Sequence, residues 1–415
     1  MSTGNLKENE TDSVRQLLIP KNYEAELTEK PEANGDGASA GKVAAIEPIN
    51  KSNSRKKLEE LKDQLQIALE LEHSTIPPYL CALYSIKQGS NLMATEIIKS
   101  VVLEEMLHMI MVANLLNAIG GNPQIGEKEV DKKNKFIPAY PTTLPGNVDP
   151  TLVVGLEPFS KHSIKTFWKI EHPVGNFQLP QNMDTGDVVY KSIGEFYKAL
   201  VYNLTELELL AQADGDTIFK GKKEKQVTSQ HYYGSGGKLF TVENLEDALN
   251  VIEEIVGQGE GTLGSIFSDP FQEGNENYLI FGTDVEDFAH YFRFKEVYYG
   301  HFYSTTDSAH RKSRNKGLPT GEKFDVDWDA VYNMKPNIKM KDVEKGTPLH
   351  DKMYDFNKTY SALLDNINDA CNGKPEVLQE GIVLMYQLKY KAVELMNIPI
   401  GEGYMAGPSF EYIKG

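Results

Sequence analysis

Glu72, Glu105 and His108 are acid–base side chains embedded in otherwise apolar helical stripes. Leu58, Leu61, Leu65, Ala68, Glu72, Thr75, Tyr79 and Ala82 recur at three- and four-residue steps. Ala94, Ile98, Val101, Glu105, His108, Val112, Leu115 and Ile119 form a second such seam. Steps of this kind put residues on one face of a helix. Burying two carboxylates and an imidazole together costs several kcal/mol per uncompensated charge, roughly, unless a cation offsets it. One Glu plus a Glu-x-x-His pair on adjacent antiparallel helices is half of a di-iron or di-manganese carboxylate site. A hydrogen-bonded Glu–His pair with a structural role is the alternative. Height favours the metal: the midpoint between residues 72 and 105 falls between Gln88 and Gly89, inside the breaker KQGSN. Each residue then lies roughly 25 Å from the turn at 1.5 Å per residue, so the carboxylates face each other at one level. Glu70 and Glu104 fall off the seams and read as outward or peripheral.

The second half of such a site must come from later segments, where the pattern leaves alternatives open. Glu260 extends the seam Leu245, Leu249, Ile252, Val256 by one step, with Glu254 on the opposite face. His290 lies in VEDFAHYFRFKEVYYG, three residues after Asp287, and Glu296 shares a stripe with Phe292 and Tyr299. Glu195 points away from the seam Ile193, Tyr197, Leu200, Leu204. Tyr79, Tyr291 and Phe292 are candidates to line a substrate cavity, or else plain core.

Periodicity and breakers predict helices at about 55–87, 92–119, 189–213, 243–258, 284–303, 348–372 and 375–397. The expected class is mainly α: a four-helix bundle with a long Pro- and Gly-rich crossover over 120–188 and extra C-terminal helices. Residues 1–50 read as a flexible arm, 51–303 as the metal-binding bundle and 304–415 as a helical extension packed on it. Among 415 residues, 60 acidic against 43 basic side chains give a net charge of −17, which argues against a nucleic-acid partner. Two cysteines, Cys81 and Cys371, are too few for a disulfide framework. The first 20 residues lack the apolar core of a signal peptide, and no uninterrupted apolar run approaches a membrane span. A cytoplasmic setting without membrane attachment is expected.

The segments EHSTIPPYLCALYSI, LEEMLHMIMVANLLNAIGGNP, SIGEFY, IVGQGEGT and HYFRF, in this order, resemble the ferritin-like domain family related to iminophenylpyruvate dimer synthases. Those are enzymes of the violacein, rebeccamycin and staurosporine pathways. The resemblance spans about residues 55–303, includes YPTTLPGNV and FWKIEHP of the crossover, and extends to the tail segment AGPSFEY. It implies a ferritin-like bundle whose metal ligands fall on Glu72, Glu105, His108, Glu195, Glu260 and His290. Four carboxylates and two imidazoles suit two ions, expected to be iron, with manganese accepting the same donors. The resemblance thereby brings in Glu195, which periodicity turns away. The pathway enzymes carry a large additional region without counterpart here. The expectation is accordingly a non-haem di-iron oxidase or oxygenase of natural-product metabolism, with dioxygen and a small, amino-acid-derived substrate as partners. Imine coupling and a non-catalytic metal-binding bundle are the alternatives, and a homo-oligomer is allowed.

Overall fold

The computed structural model describes residues 49–126, 136–173, 188–232, 236–261, 288–304, 306–309 and 313–414. Of the two units into which the chain divides, the one formed by Ile49–Pro173 and Val189–Gly415 holds every feature below. Most of the expected arm, residues 1–48, lies outside the described residues, as does Asp287.

Two long helices, α1 (Ser54–Ser85) and α2 (Leu92–Ala118), form an antiparallel hairpin around the predicted breaker. Helix α1 continues through Pro77 and Pro78. A proline has no N–H to give the carbonyl four residues back, so Pro78 frees the carbonyl of Ser74. The hydroxyl of Tyr140 fills that vacancy at 2.8 Å, pinning the crossover to α1. An 18-residue window of α2 is apolar enough by composition to cross a membrane, yet 89% of it is buried inside the protein. Helix α2 is therefore the central core rod, enclosed on nearly every side.

The crossover holds a short antiparallel ladder, β1 (Thr142–Thr143) with β2 (Val153–Val154), and a helix that periodicity does not announce, α3 (Lys161–Ile170). Ser160 and Ser163 cap α3 reciprocally, and Ile164, Phe167 and Ile170 form its buried face. Glu171 follows as its C-terminal cap residue. The bundle is completed by α4 (Ile193–Ala213), α5 (Leu245–Glu260) and α6 (His290–Tyr299). Helix α4 packs on α1 and α5; α6 packs on α2, α3 and α5. The expected 284–303 helix is shorter than its apolar pattern, because Ala289 is already extended and Gly300 ends α6 in the left-handed region at φ 65°. Helices α7 (Pro348–Cys371) and α8 (Leu378–Leu395) pair with each other and touch the first hairpin. A mainly helical bundle with a long crossover and extra C-terminal helices is thus the observed architecture.

Candidate metal centre

Buried carboxylates and imidazoles from four helices converge midway along the bundle. Glu72 on α1 and Glu105 and His108 on α2 each offer a ligand atom, all within 4.8 Å of one another. Glu105, Glu171 and His290 form a second group under the same limit. Glu105 belongs to both, and all five residues are buried. Within the first group, His108 Nδ1 lies 3.4 Å from Glu72 Oε2 and 4.0 Å from Glu105 Oε2. Within the second, His290 Nδ1 lies 2.8 Å from Glu105 Oε1 and 3.7 Å from Glu171 Oε2. The two imidazole rings stack with centroids 5.6 Å apart.

Each carboxylate is oriented by a hydroxyl. Tyr197 donates to Glu72 Oε1, Thr75 donates to Glu105 Oε2 at 3.0 Å, and Tyr79 donates to Glu171 Oε1 at 2.5 Å. Tyr79 is held between Phe167 and Phe294, with ring centroids at 4.5 and 5.1 Å. Tyr79 therefore aims a ligand-set carboxylate, while Phe292 belongs to an apolar cluster with Phe288, Ala289 and Tyr303.

Electrostatics mark the same place. Burial, with Glu171 adding its charge, pushes the Glu105 carboxyl up to about 7. Burial works against charging His108 and His290, but the carboxylates around them win and raise both. For His290 the raising groups are Glu104, Glu105 and Glu171. His290 Nδ1, despite its close carboxylate neighbours, has no acceptor in hydrogen-bonding alignment. A ring nitrogen with no aligned acceptor, facing carboxylate oxygens, is the donor set that first-row divalent ions take. The residues present fit such an ion.

One sequence expectation needs correction. Glu104 does not face outward: it is fully buried, accepting from His290 Nε2 at 2.6 Å and from Arg293 Nη2 at 2.6 Å. Helix α2 is enclosed on nearly every side, so a position off its first seam is covered as well. Arg293 and His290 overcome the effect of burial and hold Glu104 below the usual carboxylate range. Glu195 joins neither group; its Oε2 accepts the Lys191 backbone N–H at 2.7 Å, at the start of its own helix. Glu260 is in neither group but lies close enough for Glu171 to act on it; its Oε1 takes the Gly194 N–H at 2.7 Å, and burial pushes its carboxyl up to about 7. A Cβ at Gly194 would lie 2.4 Å from Glu260 Oε2, so a larger residue there would push that carboxylate aside. Glu296 accepts the Tyr303 N–H at 2.7 Å and is in neither group. Glu171 is the residue that sequence reasoning missed. Its signal was an acid closing the amphipathic run KHSIKTFWKI.

A helical bundle in which two carboxylate–imidazole sets share one glutamate defines the class of bundle proteins with a candidate dinuclear metal site. The sequence profile of the Ferritin-like family matches residues 65–299, more than half of the chain, and the chain belongs to that family. The fold is similar to that of a ferritin-like protein from Caulobacter vibrioides known from a crystal structure at 1.95 Å resolution. The TM-score is 0.55 and the identity 21%, over 88% of this chain and 100% of that one. No curated protein matches the chain in sequence.

Proposed function

We propose that Glu72, Glu105 and His108 hold one metal ion, that Glu105, Glu171 and His290 hold a second, and that the pair is iron. On this reading the protein is a non-haem oxidase or oxygenase acting on a small, amino-acid-derived molecule of natural-product metabolism. The observation that carries the reading is the sharing of Glu105 between two buried ligand sets. An iron pair held here would supply redox chemistry toward dioxygen. The chain's own part is to hold and shield the centre. Tyr197, Thr75 and Tyr79 fix the carboxylates, and burial of every ligand keeps bulk water away. Manganese accepts the same donors, and its redox range also serves oxygen chemistry.

A second reading is imine coupling of the kind catalysed by iminophenylpyruvate dimer synthases. It is favoured by the placement of the EHSTIPPYL and EEMLHM segments, which bring Glu72, Glu105 and His108 together. Oxygen uptake separates the readings. Iron-reconstituted protein is expected to consume dioxygen with an aromatic amino-acid-derived substrate, and Glu105→Ala to abolish that uptake. Turnover of an imine of an aromatic 2-oxo acid without oxygen uptake would establish the second reading instead. Iron mineral accumulation without turnover would leave a storage bundle.

A further inference from the structure

The two halves of the centre differ behind their histidines. His108 presents Nε2 to Gln258 Oε1 at 2.7 Å. The Gln258 amide nitrogen is committed to Gly236 O at 3.2 Å and to Glu254 Oε1 at 2.9 Å. A carbonyl and a carboxylate only accept, so the amide oxygen must be the end facing His108, and the ring proton sits on Nε2. His290 presents Nε2 to a carboxylate instead, Glu104 Oε2 at 2.6 Å. Arg293 clamps that same oxygen at 2.6 Å and reaches Ser100 Oγ at 3.0 Å. Glu104, His290 and Arg293 are all fully buried. Both rings therefore turn Nδ1 toward Glu105, one backed by a neutral amide and the other by an anion. An anionic acceptor on the far N–H makes an imidazole the stronger donor to a metal, and partners of this kind are worth roughly 10–100-fold in affinity.

Building on the two-metal reading above, we propose that the halves fill in order. The Glu105–Glu171–His290 half takes a divalent ion at least about tenfold more tightly than the Glu72–Glu105–His108 half. Glu104, held by Arg293, is the positioning residue that sets the difference, and Gln258 is its weaker counterpart.

Manganese(II) chloride titrated anaerobically into the metal-free full-length protein, with free ion counted by electron paramagnetic resonance, tests this. Two binding steps separated by at least about tenfold are expected. His108→Ala should retain the tight step and lose the weak one; His290→Ala should do the reverse. Glu104→Gln should weaken the tight step by roughly 10–100-fold, until the two steps merge. Circular dichroism establishes that this variant is folded. If it is not, Gln258→Glu combined with Glu254→Gln places an anion behind His108 and should tighten the weak step about tenfold. Equal steps in the parent protein overturn the ordering. So does a tight step that survives His290→Ala, or one untouched by Glu104→Gln in a folded protein. Failure of the parent to bind manganese or iron at all would remove the two-metal reading itself, an outcome distinct from two ions bound without order.

Discussion

His73 and His108 are both buried, 2% and 1% exposed, yet their surroundings shift them in opposite directions. His73 lies against Phe136, ring centroids 4.6 Å apart, and meets the Tyr360 hydroxyl through Nε2 at 2.7 Å. With no carboxylate among these neighbours, burial pushes it down to about 3, so it is a neutral core histidine joining α1 to α7. His108 and His290 sit among Glu72, Glu104, Glu105 and Glu171, and the surplus negative charge raises both. The comparison teaches that buried histidine alone does not mark a metal site. What marks it is an excess of anionic oxygen: among the described residues four carboxylates meet one guanidinium, that of Arg293, which pairs with Glu104.

The comparison breaks most visibly at Arg293. Arg293→Met removes the cation paired with Glu104 and leaves that carboxylate buried without it, which should cost about 3–5 kcal/mol. A thermal or denaturant melt of the metal-free protein reads the loss. An unchanged midpoint would show that Arg293 does not balance the cluster.

Acidity gives the next effect. Glu105 and Glu260 are pushed up to about 7 and Glu296 to about 8, and His108 and His290 are raised as well. A group whose folded value is raised stabilises below its unfolded value, and that contribution is lost as pH rises through the folded one. Lowering the pH from 8 to 6.5 should therefore stabilise the metal-free protein by about 3 kcal/mol. His73, pushed down, opposes the trend only below its ordinary value near 6.5. Metal loading should flatten the profile, because the ion takes the place of protons on Glu105 and the two histidines. A metal-free profile that is already flat over this window would contradict the charge surplus.

The smallest effects sharpen the contrast between the two kinds of histidine. Tyr360→Phe and Tyr197→Phe each delete a buried hydroxyl and should each cost about 1 kcal/mol of stability. Tyr197→Phe alone should also weaken metal binding, by about tenfold, because its hydroxyl holds Glu72. Equal metal affinity in both variants would place Tyr197 outside the centre's support.

Much of the helical framework was legible in the sequence, and the gaps have physical causes. Long helices carry a periodic signal over many turns, so Glu72, Glu105 and His108 could be set at one level from spacing alone. Glu104 was misread because a position off one seam need not face outward on a rod enclosed on nearly every side. Glu171 was missed because ten residues of helix inside a Pro- and Gly-rich crossover give a short pattern, although Ser160 with Ile164, Phe167 and Ile170 marked it. Ser192 followed three residues later by Glu195 is a helix-start signature, which explains why Glu195 serves its own helix. Glu260 reads as an extension of its seam; that its carboxylate lodges at the start of α4 depends on Gly194, a residue distant in sequence.

The sharing of Glu105 between two cation sites is tested most directly by elemental analysis of protein purified without chelator, parent beside Glu105→Ala. The account predicts about two equivalents of iron or manganese in the parent and their loss from the folded variant. Metal content unchanged by the substitution would contradict it.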